Sequence, residues 1–210
     1  MTLHYELVPE DQITHDGRTL TRIRATVDLP EHGVFIGRFG GYVEGTHNLF
    51  GNAWVFGSAR VSGNARVHGD AEVAGSAWVF GDAEVFGNAF LAGNARVSGH
   101  AHVSGDAHVA GNARVFEDAR VSGDAGLSGD AVVSGNAAVA GNADWLIVGP
   151  AKSSGRVTTA YRTATGVQVN CGCFSGTPAE FLRAIKETHR YSPRYLAQYR
   201  AFHALIMANF

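Results

Sequence analysis

Leu49 to Asp144 reads LFGNAW, VFGSAR, VSGNAR, VHGDAE, VAGSAW, VFGDAE, VFGNAF, LAGNAR, VSGHAH, VSGDAH, VAGNAR, VFEDAR, VSGDAG, LSGDAV, VSGNAA, VAGNAD: sixteen six-residue units with no break. Position 1 is always Val or Leu and position 5 always Ala. Position 3 is Gly in 15 of the 16 units, Glu117 being the exception, and position 4 is Asn, Asp, Ser or, once, His100. A fixed period this short is the mark of stacked solenoid coils. It cannot be an amphipathic helix, because six does not match the 3.6-residue helical period. Within a unit, Ala-x-Val-x alternates small or aliphatic with variable residues, as a short strand does. Gly followed by Asn or Asp then supplies residues that tolerate positive φ, so the chain turns there. Each unit is therefore one strand and one corner.

These units resemble those of hexapeptide-repeat proteins. The resemblance implies a left-handed parallel β-helix, with three units per triangular coil and residues 18 apart stacked. About five coils at ~4.8 Å per ladder step give a prism roughly 25 Å long, with Val over Val and Ala over Ala inside. The expected fold is thus an all-β solenoid, with an N-terminal β cap over 1–42, the β-helix over 43–150, and a small α+β module over 151–210.

The flanks differ from the repeat. Tyr5–Val8 and Leu20–Leu29 read as strands about a His-Asp-Gly turn at 15–17, with Arg18, Arg22 and Arg24 on or beside the second. Their expected task is to cap the open end of the solenoid, which otherwise exposes unpaired strand edges. Val157–Tyr161 and Val167–Cys173 read as a hairpin. Thr177-Pro-Ala-Glu180 is a capping box with Pro at the first helical position. Ser192-Pro193 promises a second helix, whose stripe of Tyr195, Tyr199, Phe202 and Ile206 reads as core or interface. The stretches GGYVEGTHNLFGNAWV (40–55) and NCGCFSGTPAEFLRAIKETH (170–189) resemble parts of phage-type hexapeptide proteins. That resemblance implies a phage or prophage origin and no particular mechanism.

Charge is unevenly spread: −2 over 1–42, −6 over 43–150 and +6 over 151–210. Much of the acid sits at the corners, and the basic tail reads as a solvated surface or a contact for an anionic partner. Cys171 and Cys173 are too few and too close for a disulfide framework, and with His189 they make a weak metal set. No apolar run approaches a membrane span and the N-terminus lacks a signal-peptide core, so a cytoplasmic protein with no membrane partner is expected. Neither a cofactor, a metal nor a duplex nucleic acid is called for: no phosphate loop, nucleophile elbow or HExxH run occurs.

Function has to be written on the outward positions, 6 and 2. Stacking by 18 gives three faces: one through Trp54, Glu72, Phe90 and His108, a second through Arg60, Trp78, Arg96 and Arg114, and a third through Arg66, Glu84, His102 and Arg120. Trp54, Phe56, Trp78, Phe80, Phe86, Phe90 and Phe116 all fall at outward positions. Left in water they would form large apolar patches, so self-association is expected, as the homotrimer that the resemblance implies.

The second face carries the sharpest hypothesis. Trp78 would stack a planar base and Arg96 and Arg114 would hold phosphate, with Arg60, Phe80 and Phe116 around them, in a groove between subunits. Such a protein would sequester a small anionic, nucleotide-like ligand. A cation–π ladder, or a trimer seam of Arg against acids of the next chain, reads the same column structurally. The third face, alternating in sign, reads as an ion-pair ladder. Two other functions stay open. One is a virion component or a module that binds a host protein. The other is acyl transfer from acyl-CoA, which the resemblance implies for many family members, with His102 or His108 as general base. The unbroken repeat argues against the latter, because those enzymes usually insert a loop between coils to build the acceptor site.

Overall fold

The computed structural model describes residues 3–151 and 155–210, and in it the repeat forms a parallel β-solenoid of about five turns. Position 6 of one unit and position 1 of the next form a two-residue strand, from Trp54–Val55 to Ala138–Val139, and positions 3 and 4 form a turn in every unit but the last, where Asn142–Asp144 is a 3-10 turn. Residues pair in register with those 18 further on, as in Arg60↔Trp78, Trp78↔Arg96 and Arg96↔Arg114. The expected row spacing is therefore the observed one. Backbone bonds tie each coil to the next, for example Trp54 N–H to Ala71 O at 3.0 Å and Phe56 N–H to Val73 O at 2.8 Å. The position-1 and position-5 side chains fill one continuous core, in which Val55, Ala59, Val61, Ala65 and their stacked equivalents are fully buried.

The corners explain the composition. Position-3 glycines from Gly51 to Gly135 take φ near +60 to +72°, Glu117 takes +61° in the same place, and Gly141 of the last unit is extended at −160°. A non-glycine residue is strained there, and the Glu117 carboxylate accepts from Gly135 N–H at 2.6 Å. At position 4, side-chain amides form ladders between coils: Asn52 donates to Asp70 at 2.9 Å, Asn64 to Asp82 at 2.9 Å and Asn88 to Asp106 at 2.8 Å. The acid of the corners thus accepts hydrogen bonds from the coil before it, beyond what the turn itself demands.

Three N-terminal strands, β1 (Tyr5–His15), β2 (Arg18–Ala25) and β3 (Phe39–Val43), extend the second face. β1 and β2 are antiparallel, and β3 pairs in parallel with Arg60–Val61, giving one eight-stranded sheet. The sequence reading ended the first strand at Val8. The strand in fact continues beyond Pro9, because β1 is an edge strand and the register shift between Val8 and Gln12 absorbs the proline. Gly40 and Gly41 allow close contact with the first coil: a Cβ would lie 2.6 Å from Val55 O at Gly40 and 2.5 Å from Ala59 O at Gly41.

At the other end, Trp145–Val148, Thr158–Thr163, Gly166–Cys171 and Phe174–Gly176 form an antiparallel sheet. Two helices follow, α1 (Pro178–Thr188) and α2 (Pro193–Asn209). Thr177 makes the expected capping box, with its N–H and hydroxyl on Glu180, whereas Ser192 makes no side-chain cap at α2. Tyr199 and Ile206 of the aromatic stripe are buried, in a core separate from that of the solenoid. Among the described residues no helix is long and apolar enough to cross a membrane.

Candidate functional site

The second face brings together the six residues singled out above, on adjacent rungs of one sheet. Tyr42, Arg60, Trp78, Arg96, Arg114 and Val132 follow one another as Cα partners across successive strands. Phe80 and Phe116 lie two residues beyond Trp78 and Arg114, beside the column.

The two halves of the column differ. In the first, the β1–β2 turn lands on the face. His15 packs edge-on to Trp78, with ring centroids 4.5 Å apart, and its Nε2 lies 3.3 Å from the Arg60 guanidinium. Burial lowers the His15 pKa, and the charges of Arg60 and Arg96 lower it further against the pull of Asp16, so the ring is neutral and accepts from Arg60. Trp78 stacks on Phe80 at 3.9 Å and 23°, and its indole N–H donates to the buried Ser62 hydroxyl at 3.0 Å. Among the described residues no guanidinium lies over the Trp78 ring, so of the two structural readings of this column the cation–π ladder is not formed. The reason is local: Phe80, just past the Trp78–Val79 strand, stacks on one face of the Trp78 ring and His15 packs against it edge-on.

In the second half, Arg96 and Arg114 are exposed. They face each other in register one coil apart, and Arg114 lies over the Phe116 ring at 5.6 Å. Among the described residues no carboxylate pairs with Arg60, Arg96 or Arg114. Two like charges directly opposite on a sheet repel.

The third face forms part of the ion-pair ladder its sequence promised, with Glu84 at the centre; Arg120 pairs in register with His102 but has no carboxylate partner among the described residues. Glu84 lies 3.1 Å from Arg66 and 3.5 Å from His102, while His68, 3.9 Å from the same carboxylate, stacks on Phe86. His102 and His108 lie on different faces, as the spacing requires, and His108 packs on Phe90 at 5.6 Å.

The first face corrects one expectation. Trp54 does not face water: it is fully buried, with His4 6.1 Å away and the N-terminal segment covering it. Phe56, Trp78, Phe80, Phe86, Phe90 and Phe116 remain half-buried at the surface. Sequence periodicity could assign Trp54 to an outward position but carried no signal for what would cover it. The place of His15 against Trp78 lacks a sequence signal for the same reason, since His15 comes from outside the repeat, whereas the Ser62–Trp78 bond joins two repeat residues on neighbouring coils. In the C-terminal module, Cys171, Cys173 and His189 line one recess of about 260 Å³ with Arg156. The cysteines are free thiols, and no metal-competent group includes them among the described residues.

Residues 59–75, about one coil, match a family model described as a YdcK Beta solenoid repeat. No curated protein matches the chain.

Proposed function

We propose that the chain is a non-enzymatic binding protein whose second face takes a small anionic, base-containing ligand. Arg96 and Arg114 hold its phosphate, and the exposed part of the Trp78–Phe80 stack receives its base. Arg60 and Phe116 flank the site, and a second copy in a homotrimer supplies the opposite wall. The observation that carries this reading is the in-register Arg96–Arg114 pair, which has no carboxylate partner among the described residues. Holding two guanidinium groups opposite each other costs folding energy, and a phosphate bridging them reverses the sign of that term. Half-buried aromatics on the same prism support self-association, because a partner prism would cover them. In a phage-encoded protein made in a host cytoplasm, such a groove would withdraw a nucleotide from use.

Titration of Trp78 fluorescence with nucleoside mono-, di- and triphosphates tests the reading. A saturable change is expected, with affinity falling by about tenfold or more in Arg96→Ala and again in Arg114→Ala, as charge-assisted bonds of ~1.5–3 kcal/mol require. No response to any nucleotide at millimolar concentration, or unchanged affinity in Arg96→Ala, removes it. Light scattering at a mass other than three chains removes the trimer groove. Coenzyme A binding that depends on His102 rather than Arg96 would replace binding with acyl transfer as the function.

A further inference from the structure

The first face carries a second constellation, independent of the basic column. His32 ends a short 3-10 turn, Pro30–His32, which lays its imidazole against the solenoid wall. The side chain is only 4 % exposed, and its Nδ1 lies 2.8 Å from Glu72 Oε1. A carboxylate oxygen can only accept here, so Nδ1 carries a proton, and the neutral ring with that tautomer offers Nε2 as a lone pair. That Nε2 is buried and has no hydrogen-bond partner. A buried polar atom left without a partner is unfavourable, and a ligand that takes up its lone pair removes that penalty.

Beside it stand two exposed carboxylates. One ligand atom each from Glu31, His32 and Asp70 lies within 4.8 Å of the others. Asp70 is already oriented, because its Oδ1 accepts from Asn52 at 2.9 Å, which leaves Oδ2 free. The recess in front has a volume of about 560 Å³ and is also lined by Asn88 and His108.

From this geometry we propose that Glu31, His32 and Asp70 bind a divalent first-row transition ion, with Glu72 orienting the imidazole. A carboxylate on the second ring nitrogen is the usual support of a metal-bound histidine. One imidazole with two carboxylates suits Zn²⁺, Mn²⁺ or Co²⁺, whereas Ca²⁺ and Mg²⁺ take oxygen ligands. Bonds of ~2.0–2.2 Å bring ligand atoms to within about 3.5 Å of each other, so the exposed Glu31 and Asp70 side chains close inward on the ion. Three protein ligands leave room for water in the coordination sphere. The ion also fastens residues 31–32 to the coil that holds Asp70 and Glu72. No sequence motif announces the site, because its ligands lie nearly forty residues apart and only one of them belongs to the repeat.

Cobalt is the probe. The full chain, stripped with chelator, is titrated with Co²⁺ while visible d–d absorption and thermal unfolding are followed. Expected are bands that saturate at one ion per chain and a rise in Tm, with Zn²⁺ competing for the same site. Glu31→Gln and Asp70→Asn, both exposed, should each weaken binding tenfold or more while the apo protein melts as before. His32→Gln should abolish the bands, and Glu72→Gln should weaken binding about 10–100-fold. Absent bands with an unmoved Tm would overturn the proposal and leave the orphan nitrogen to a buried water. Bands unchanged in Glu31→Gln and Asp70→Asn, or thiolate charge transfer lost in Cys171→Ser, would place the ion elsewhere and overturn it equally.

Discussion

The two ends of the solenoid are closed by different physics. At the N-terminal end the closure is backbone: β3 adds a strand in register, with Tyr42 N–H on Ala59 O and Glu44 N–H on Val61 O, both at 3.0 Å. Tyr5, Ile23, Leu29 and Val34 join the same hydrophobic core as the stacked valines. At the C-terminal end the closure is mainly side chains. Tyr161 OH lies 3.2 Å from Ser134 N and 3.1 Å from Ser134 O, Asn170 Nδ2 donates to Tyr161 OH at 2.8 Å, and Val132 N–H donates to Thr159 Oγ1 at 3.1 Å. Behind that polar seam lies a separate core of Phe181, Ile185, Tyr199 and Ile206. The lesson is that one end is a continuation of the solenoid and the other a docked module, so the two should come apart differently.

The largest effect is expected from Trp54→Ala. Trp54 sits beneath the N-terminal segment inside the shared core, and removing a buried aromatic costs about 3–5 kcal/mol. Because the core is continuous, denaturant unfolding should shift for the whole solenoid; a loss confined to residues 3–43 would show that the N-terminal end is a separate unit. Tyr161→Phe comes next. It leaves Ser134 N–H without its acceptor, at about 1–3 kcal/mol, and removes the shortest bond of Asn170 Nδ2, which keeps Val132 O and Ser134 Oγ. Here limited proteolysis should release the C-terminal module while the coils resist, and an equal loss at both ends would erase the distinction.

A smaller difference should appear with pH. Burial lowers the pKa of His4, whose Nε2 donates to Ala53 O at 2.9 Å, against a raising contribution from that same bond. His15 is lowered as well. A histidine depressed in the folded state protonates more readily when unfolded, so its stabilisation is complete above the ordinary value of 6.5 and fades as pH falls through the folded pKa. Amide exchange in β2, corrected for intrinsic rate, should therefore rise between pH 7 and pH 5 more than exchange in the Thr158–Thr163 strand. For Glu44, burial works upward, but Gly63 N–H and Arg18 outweigh it and hold the carboxyl low. Its contribution is lost only below the ordinary carboxylate value of 4.5, which puts it outside that window.

The sequence made the solenoid legible because the repeat states its own geometry. Val at position 1, Ala at position 5 and Gly at position 3 each have one physical task, and stacking by 18 follows. It also placed Trp78, Arg96 and Arg114 on one column. What the period could not carry were contacts from outside it. Trp54 and Trp78 occupy equivalent positions in their units, yet one is sealed by His4 and its neighbours and the other is edged by His15. The Asn52–Asp70 and Asn64–Asp82 bonds were visible in principle as amide and acid 18 residues apart. The pairing of His32 with Glu72 had no such signal, because it depends on where the loop after β2 comes to rest.

Arg96 and Arg114, without a carboxylate partner among the described residues, are on the proposed reading kept for a ligand rather than for the fold. Thermal unfolding of Arg96→Ser beside the parent, with and without a nucleoside triphosphate, tests it most directly. Without nucleotide the variant should melt no lower than the parent, since a like-charge contact is relieved, and nucleotide should raise the Tm of the parent alone. A variant that melts lower without nucleotide, or that keeps the full nucleotide shift, would contradict it.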